Sequence, residues 1–405
     1  MKRHSLGSLL LVGLASLVLA ACSGGDTPYG GPAAAQDPGF IPVAGIAPPR
    51  FAYVVHANAD RVSGYKVDAT TGALTPMDTI WTWATGSTPS SIAVDPLVKF
   101  AYVTNSGNTG VGLANNSISI FTIDNTTGAL TAAFTPIPAG VQPISVAIEP
   151  GGRYVYVANA GSNTVSAYVR NTTTGALVAV TGSPFALSPG DIKPQSVTVD
   201  PSGKFVYVAN ATSSTVTMFS IDSASSPSLT PGALTLLGSV LSDAHPNSIA
   251  VAPSGSYAYV SNETGDSVRV FSISSTGMLA FVQSSSASGS TPTGVAVEPN
   301  GRYAYVSQRS TNNLGAYSIG SGGAGLGRLT LISNASIPAP LAAGPTYVAA
   351  DPAGKFVYAS LLNGGGVAGY TIGGTGALTA MSGSPFPADP LLSGTSTSDF
   401  ILITK

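Results

Sequence analysis

The sequence predicts an all-β chain, a seven-bladed β-propeller with four antiparallel strands per blade and a ring closed by the C-terminal strand joining the first blade. Three observations lead there: an internal repeat that returns at roughly 50-residue spacing, a composition suited to many short strands, and a mismatch in the count of two repeated segments.

The repeat has three parts, always in the same order. An apolar segment opening and closing on Pro recurs six times: Pro89 to Pro96, Pro143 to Pro150, Pro194 to Pro201, Pro246 to Pro253, Pro292 to Pro299 and Pro345 to Pro352. An aromatic-rich strand follows and recurs seven times, as in Phe51-Ala52-Tyr53-Val54, Tyr156-Val157 preceded by Tyr154-Val155, and Phe356-Val357-Tyr358-Ala359. The third part is an alternating strand such as Thr215-Val216-Thr217-Met218-Phe219, which turns through Thr-Gly-Ala-Leu, as at Thr71 to Leu74 and Thr127 to Leu130. Period-two alternation broken by such turns gives four antiparallel strands per unit. Six first segments against seven second ones leave one blade short of a strand. Asp399-Phe400-Ile401-Leu402-Ile403 is an apolar strand with no other place, so it is expected to complete the first blade as its innermost strand and to cover an open edge.

Composition agrees. Of 405 residues 44% are hydrophobic and only 8% charged, while 48 Gly and 30 Pro supply turns. With 16 Lys+Arg against 18 Asp+Glu there is no basic field to neutralise a phosphate backbone, so nucleic acid is not an expected partner.

Residues 1–21 read as a signal peptide: Met1-Lys2-Arg3-His4 is a positive start, and Leu6 to Ala21 is an apolar stretch ending in small residues. A membrane-spanning helix is the competing reading, but the stretch is shorter than the ~20 residues that hydrocarbon requires. Leu19-Ala20-Ala21-Cys22 resembles the lipobox of bacterial lipoproteins, which implies lipid on Cys22, the only cysteine, and an exported protein held at a membrane facing periplasm or cell exterior. Residues 22–49, rich in Gly, Pro and Ala, read as a tether, and 50–405 as the propeller.

Tyr102-Val103-Thr104-Asn105 is the tetrapeptide of the bacterial YVTN propeller repeats, and Tyr156 to Asn159 and Tyr207 to Asn210 are variants of it. Pro246 to Ile273 and Thr293 to Ile319 resemble consecutive blades of the lactonase-type propellers, the family of the bacterial 6-phosphogluconolactonases and fungal carboxymuconate cyclases. That resemblance implies a site at the channel mouth made of a His, two Arg and a Glu from different blades. Matched residue by residue, Asn262-Glu263 carries the Glu and Ser307-Gln308-Arg309 one Arg, whereas Asn247 stands where the other Arg is expected and Gln195 where the His is. Half the constellation is replaced.

The residues themselves single out Glu263 and Arg309, because the same repeat position holds Ala57, Ser106, Ala160, Ala211 and Leu362 elsewhere. Facing one mouth, Arg309 suits a carboxylate, phosphate or oxyanion and Glu263 a water proton; alternatively the two form a plain ion pair between blades. His56 and His245 lack an evident carboxylate partner in sequence and read as structural. Asp95, Glu149, Asp200, Glu298 and Asp351 each precede Pro and read as turn residues held apart by the ring rather than as metal ligands. No zinc spacing, phosphate-cradling glycine loop or nucleophile elbow is present, and no cofactor is expected. Two functions therefore stand open: a lipid-anchored scaffold binding a small molecule, glycan or protein at the channel mouth, or a lactone hydrolase using Glu263 and Arg309.

Overall fold

The computed structural model describes residues 50–77, 82–107, 115–222, 230–287, 289–338, 344–362, 366–387 and 398–404. The signal peptide, the tether and Cys22 lie outside them. The described residues form seven antiparallel sheets, the blades, counted here from the first aromatic strand. In blade 2 the order from the channel outward is Pro89–Val94, Phe100–Asn105, Ser117–Ile123 and Leu130–Ala132. Blades 3 to 7 begin in the same way, at Pro143, Pro194, Pro246, Pro292 and Pro345. Blade 1 takes its innermost strand from the opposite end of the chain: Ser398–Ile403 pairs antiparallel with Phe51–His56, as the strand count requires.

The aromatic strand explains why the repeat is so regular. Its third residue is a fully buried Tyr in every blade, and each Tyr hydroxyl donates to the carbonyl of the turn glycine in the next blade. The seven bonds are Tyr53 to Gly128 at 2.6 Å, Tyr102 to Gly175 at 2.8 Å, Tyr156 to Gly232 at 3.1 Å, Tyr207 to Gly277 at 3.0 Å, Tyr259 to Gly327 at 3.0 Å, Tyr305 to Gly376 at 3.2 Å and Tyr358 to Gly72 at 2.7 Å. The last closes the ring. The strand's first residue, Phe or Tyr, lies against the same glycine: a Cβ on Gly72 would stand 2.7 Å from the Phe356 ring, and φ there is +75°. Only glycine meets both demands, the left-handed backbone and the flat contact. The aromatic-x-Tyr segment and the Thr-Gly-Ala-Leu turn are thus two halves of one inter-blade clamp.

The core sits between blades rather than within them. Tyr156, Ala158 and Val165 of blade 3 pack with Val206, Val208 and Phe219 of blade 4, and the pattern repeats round to blade 7, whose Tyr358 and Val367 pack with Ala52, Tyr65 and Ile401 of blade 1. Burying side chains of this size stabilises by about 1.5–3 kcal/mol each.

The acidic residues before Pro serve their turns. Asp351 Oδ1 accepts the backbone N–H of Lys355 and of Phe356, both at 2.6 Å, and Oδ2 that of Ala353 at 3.0 Å. Asp95 and Asp200 do the same. The fourth residue of the turn is glycine with φ near +70° in blades 3 to 7, as at Gly152 and Gly354. His56, in the slot that holds Asn in blades 2 to 5, is fully buried, with Nε2 2.7 Å from Ser63 Oγ; the corresponding Asn159 bonds Thr164 and Ser166. It is a structural histidine, as expected.

One feature was not expected. The outermost strand is a single eight-residue run only in blades 4, 5 and 6, Leu234–Leu241, Leu279–Ser286 and Leu329–Ser336, each with a bulge. In blades 1, 2 and 3 it is split, as into Leu177–Ala179 and Phe185–Ala186.

Candidate functional site

The innermost strands all begin at one face of the ring, and the residue before the opening Pro adopts a left-handed conformation in blades 2 to 6: Thr88, Gln142, Lys193, His245 and Thr291 have φ between 53° and 63°. Each also accepts, through its carbonyl, the N–H of the residue that follows the aromatic strand; in blade 5 this is Glu263 N–H to His245 O, 2.8 Å, and in blade 6 Arg309 N–H to Thr291 O, 3.0 Å. The repeat therefore fixes a pre-Pro residue and a strand-end residue side by side in each blade. Blade 5 puts His245 and Glu263 in those two places.

The consequence is a cluster that the spacing alone did not reveal. Glu263 Oε1 accepts a hydrogen bond from the Arg309 guanidinium, Oε2 accepts one from Asn247 Nδ2 at 2.8 Å, and Oε2 lies 3.3 Å from His245 Nδ1. The Glu263 side chain is 16% exposed, against 37% for Arg309 and 33% for His245. The carboxylate is thus mostly shielded while its two basic partners reach solvent. The Glu263–Arg309 pair forms as the sequence suggested. His245, read from sequence as structural, instead stands against the carboxylate; the signal that could have found it is its place before Pro246, where the left-handed backbone brings the side chain beside the strand end.

Asn247 connects this cluster to the channel. A cavity of about 220 Å3 opens there, lined in two tiers. The first tier is the residue after each opening Pro: Ser90, Ile144, Gln195, Asn247, Thr293 and Thr346. The second tier comprises Ser91, Ser145 and Ser196 with Tyr347 and Phe400. Each serine also ties two blades together, as its Oγ accepts a backbone N–H from the next innermost strand: Val146 to Ser91 at 3.4 Å, Val197 to Ser145 at 3.2 Å and Ile249 to Ser196 at 3.4 Å. The rings of Tyr347 and Phe400 touch with centroids 4.1 Å apart and planes inclined by 33°, and burial pushes the Tyr347 hydroxyl up to about 12. Gln195 and Asn247, the positions where the family His and Arg are replaced, both line this cavity. No group of His, Cys, Asp and Glu suited to hold a metal occurs among the described residues.

Comparison with known proteins follows the same line. No curated protein sequence matches the chain. Among solved structures, a candidate 6-phosphogluconolactonase from Bacteroides uniformis superposes with a TM-score of 0.72 at 19% identity, covering 88% of this chain and 100% of that one. A second, from Bacteroides fragilis, gives 0.73 at 17% identity over 88% and 98%. The periplasmic gluconolactonase of Pseudomonas aeruginosa gives 0.70 at 18% identity over 88% and 99%. At such identities the likeness is one of fold. The sequence profile of the family described as lactonase, 7-bladed beta-propeller, matches residues 46–193 and 233–343, more than half the chain. With the seven blades and the ring closure described above, this chain belongs to the lactonase family of seven-bladed β-propellers.

Proposed function

We propose that this protein hydrolyses a lactone at the channel mouth, with Glu263, Arg309, His245 and Asn247 as the working side chains. One observation carries the reading: three polar side chains from two blades converge on the single shielded carboxylate of Glu263 beside a cavity.

The chemistry each can supply is straightforward. Water adds through its oxygen to the lactone carbonyl carbon as Glu263 takes its proton. The carbonyl oxygen becomes an oxyanion, which the Arg309 guanidinium and the Asn247 amide can stabilise. The tetrahedral species then collapses with cleavage of the ring C–O bond. His245, 3.3 Å from Glu263, relays the proton to the departing alkoxide, so the product is an open hydroxy acid.

A second reading keeps a specific observation behind it. Both Glu263 oxygens are already hydrogen-bonded, one to Arg309 and one to Asn247, as in a structural ion pair. The propeller would then bind its ligand or partner without turning it over. A panel of aliphatic and sugar lactones followed by acid release separates the two readings. Turnover that vanishes in both Glu263→Gln and Arg309→Met supports hydrolysis; no rate above buffer leaves a binding scaffold.

We also propose that the chain is exported and anchored through lipid on Cys22, supported by the Leu19-Ala20-Ala21-Cys22 sequence. Labelled palmitate incorporated by the wild type and not by Cys22→Ser is the expected result; equal incorporation contradicts it.

A further inference from the structure

The face opposite the candidate site carries an ordered charge pattern. Consecutive strands of a blade run antiparallel, so the turns between first and second strands, and between third and fourth, emerge on the face away from Glu263 and Arg309. The residue just before the aromatic strand ends the first of these turns. It is basic in six of the seven blades, as Arg50, Lys99, Arg153, Lys204, Arg302 and Lys355, with Ser256 in blade 5. All six cations are exposed. Three guanidinium groups lie over the aromatic residue that follows, Arg50 on Phe51 at 5.3 Å, Arg153 on Tyr154 at 5.4 Å and Arg302 on Tyr303 at 5.3 Å from the ring centroid, which holds them at this face. Arg328, in the outer turn of blade 6, is a further exposed cation there.

The acids of this face do not cancel the ring at its outer surface. Asp95, Glu149, Asp200, Glu298 and Asp351 are buried and turned inward onto backbone N–H groups, and Asp222 is buried as well. Arg302 lies 3.9 Å from Glu298 yet keeps 64% of its side chain exposed. Among the described residues only Asp68 and Asp124 are exposed acids here, both in outer turns and each already accepting two backbone N–H groups. A surface that touches this face therefore meets cations first, while at a distance the buried acids offset them, so the attraction acts at contact range. Leu97 adds an apolar tip. It is 63% exposed in the same turn as Lys99, at the position held by Gly151, Ser202, Ser254, Asn300 and Ala353 in blades 3 to 7.

The chain also enters the propeller on this face. Arg50 is the first described residue and a member of the ring, so residues 22–49, with Cys22 at their head, lead into the fold at that point. We infer that this face docks on a bilayer containing anionic phospholipid, with the ring cations among the headgroup phosphates and Leu97 entering the interface. The inference rests on the proposed anchoring at Cys22, to which it adds a partner and an orientation. A plane meets all the cations of a ring at once, whereas a thread-like polyanion such as nucleic acid reaches only neighbouring ones. A lipid chain and a basic surface are the two signals that stable attachment combines. Docking in this way turns the Glu263 face away from the bilayer, open to solutes.

Lysine footprinting of the full-length protein compares the two faces directly. A water-soluble acetylating reagent and mass spectrometry report the reactivity of each lysine beside vesicles of phosphatidylcholine alone or with about 30% phosphatidylglycerol. Lys99, Lys204 and Lys355 belong to the ring, and Lys193, exposed before Pro194, stands on the Glu263 face. The ring lysines are expected to lose reactivity by about fivefold or more on the anionic vesicles and to regain it at about 0.5 M salt, while Lys193 reacts equally throughout. Lys204→Glu with Lys355→Glu should abolish the protection of Lys99, whereas the charge-matched pair Arg61→Glu with Lys193→Glu on the other face should leave it in place. The inference is overturned by ring lysines that react alike with and without anionic lipid, by equal protection of Lys193, or by an oligonucleotide that protects the ring as well as the vesicles do at equal phosphate. Palmitate incorporation with an unprotected ring defeats this inference alone, and ring protection without palmitate incorporation defeats the anchoring alone.

Discussion

The hydroxyl of Tyr358 donates to the carbonyl of Gly72, 2.7 Å away, and so joins the last blade to the first across 286 positions of sequence. It is the same bond that joins every other adjacent pair of blades, formed here by residues from opposite ends of the propeller. Closure therefore rests on a repeated contact and on the borrowed strand together.

Removing the two halves of this clamp should have unequal effects. Tyr358→Phe deletes one buried hydrogen bond and should cost about 1–2 kcal/mol. Gly72→Ala forces a left-handed alanine into the Phe356 ring and should cost more, about 2–4 kcal/mol. Urea unfolding of both variants checks the order.

The borrowed strand makes its own prediction. Ile401 is fully buried against blades 7 and 1, so Ile401→Ala should lose about 2–5 kcal/mol. Deleting residues 398–405 should uncover the Phe51–His56 edge and yield aggregates on size-exclusion chromatography. A monomeric, equally stable truncation would show that the ring does not depend on this strand.

Asp351 gives stability a pH dependence of definite sign. Burial is the largest influence on its carboxyl and raises it above the ordinary value of 3.8, against the three backbone N–H groups that lower it. The folded state then holds the proton more tightly than the unfolded chain, so this group's contribution is largest below pH 3.8 and is lost as pH rises through the folded value. Melting temperature followed from pH 3 upward should fall less steeply, or rise more steeply, in Asp351→Asn than in the wild type; parallel curves would contradict this.

The two histidines of the propeller should separate cleanly. His245→Ala should lower lactone turnover by about 10²–10⁴-fold if His245 relays the proton. His56→Asn places the residue of blades 2 to 5 against Ser63 and should leave kcat/KM unchanged. Equal losses in the two variants would mean that neither acts in chemistry.

The sequence made the blades legible because each repeated residue has a physical task in its own blade. Pro opens a strand, Asp or Glu caps a turn, and alternation sets the buried face. It did not make the clamp legible, because Tyr and Gly meet across blades about 70 positions apart. The split outer strands also escaped it, for their pairing partners lie on either side of a short loop. At the site, Glu263 and Arg309 stood out as charges in a position otherwise held by small or apolar residues. His245 did not, since its approach to Glu263 depends on the left-handed backbone before Pro246. The Tyr347–Phe400 ring contact was equally hidden, joining a strand of blade 7 to one contributed by the C-terminus.

The central claim is that the Glu263 carboxylate performs hydrolysis, and kcat/KM of wild type against Glu263→Gln on a lactone the protein turns over tests it most directly. Gln keeps the shape and an acceptor for Arg309 but cannot take the water proton, so a fall of about 10²–10⁴-fold with unchanged melting temperature is the predicted result. A lactone rate that survives the substitution intact would contradict it.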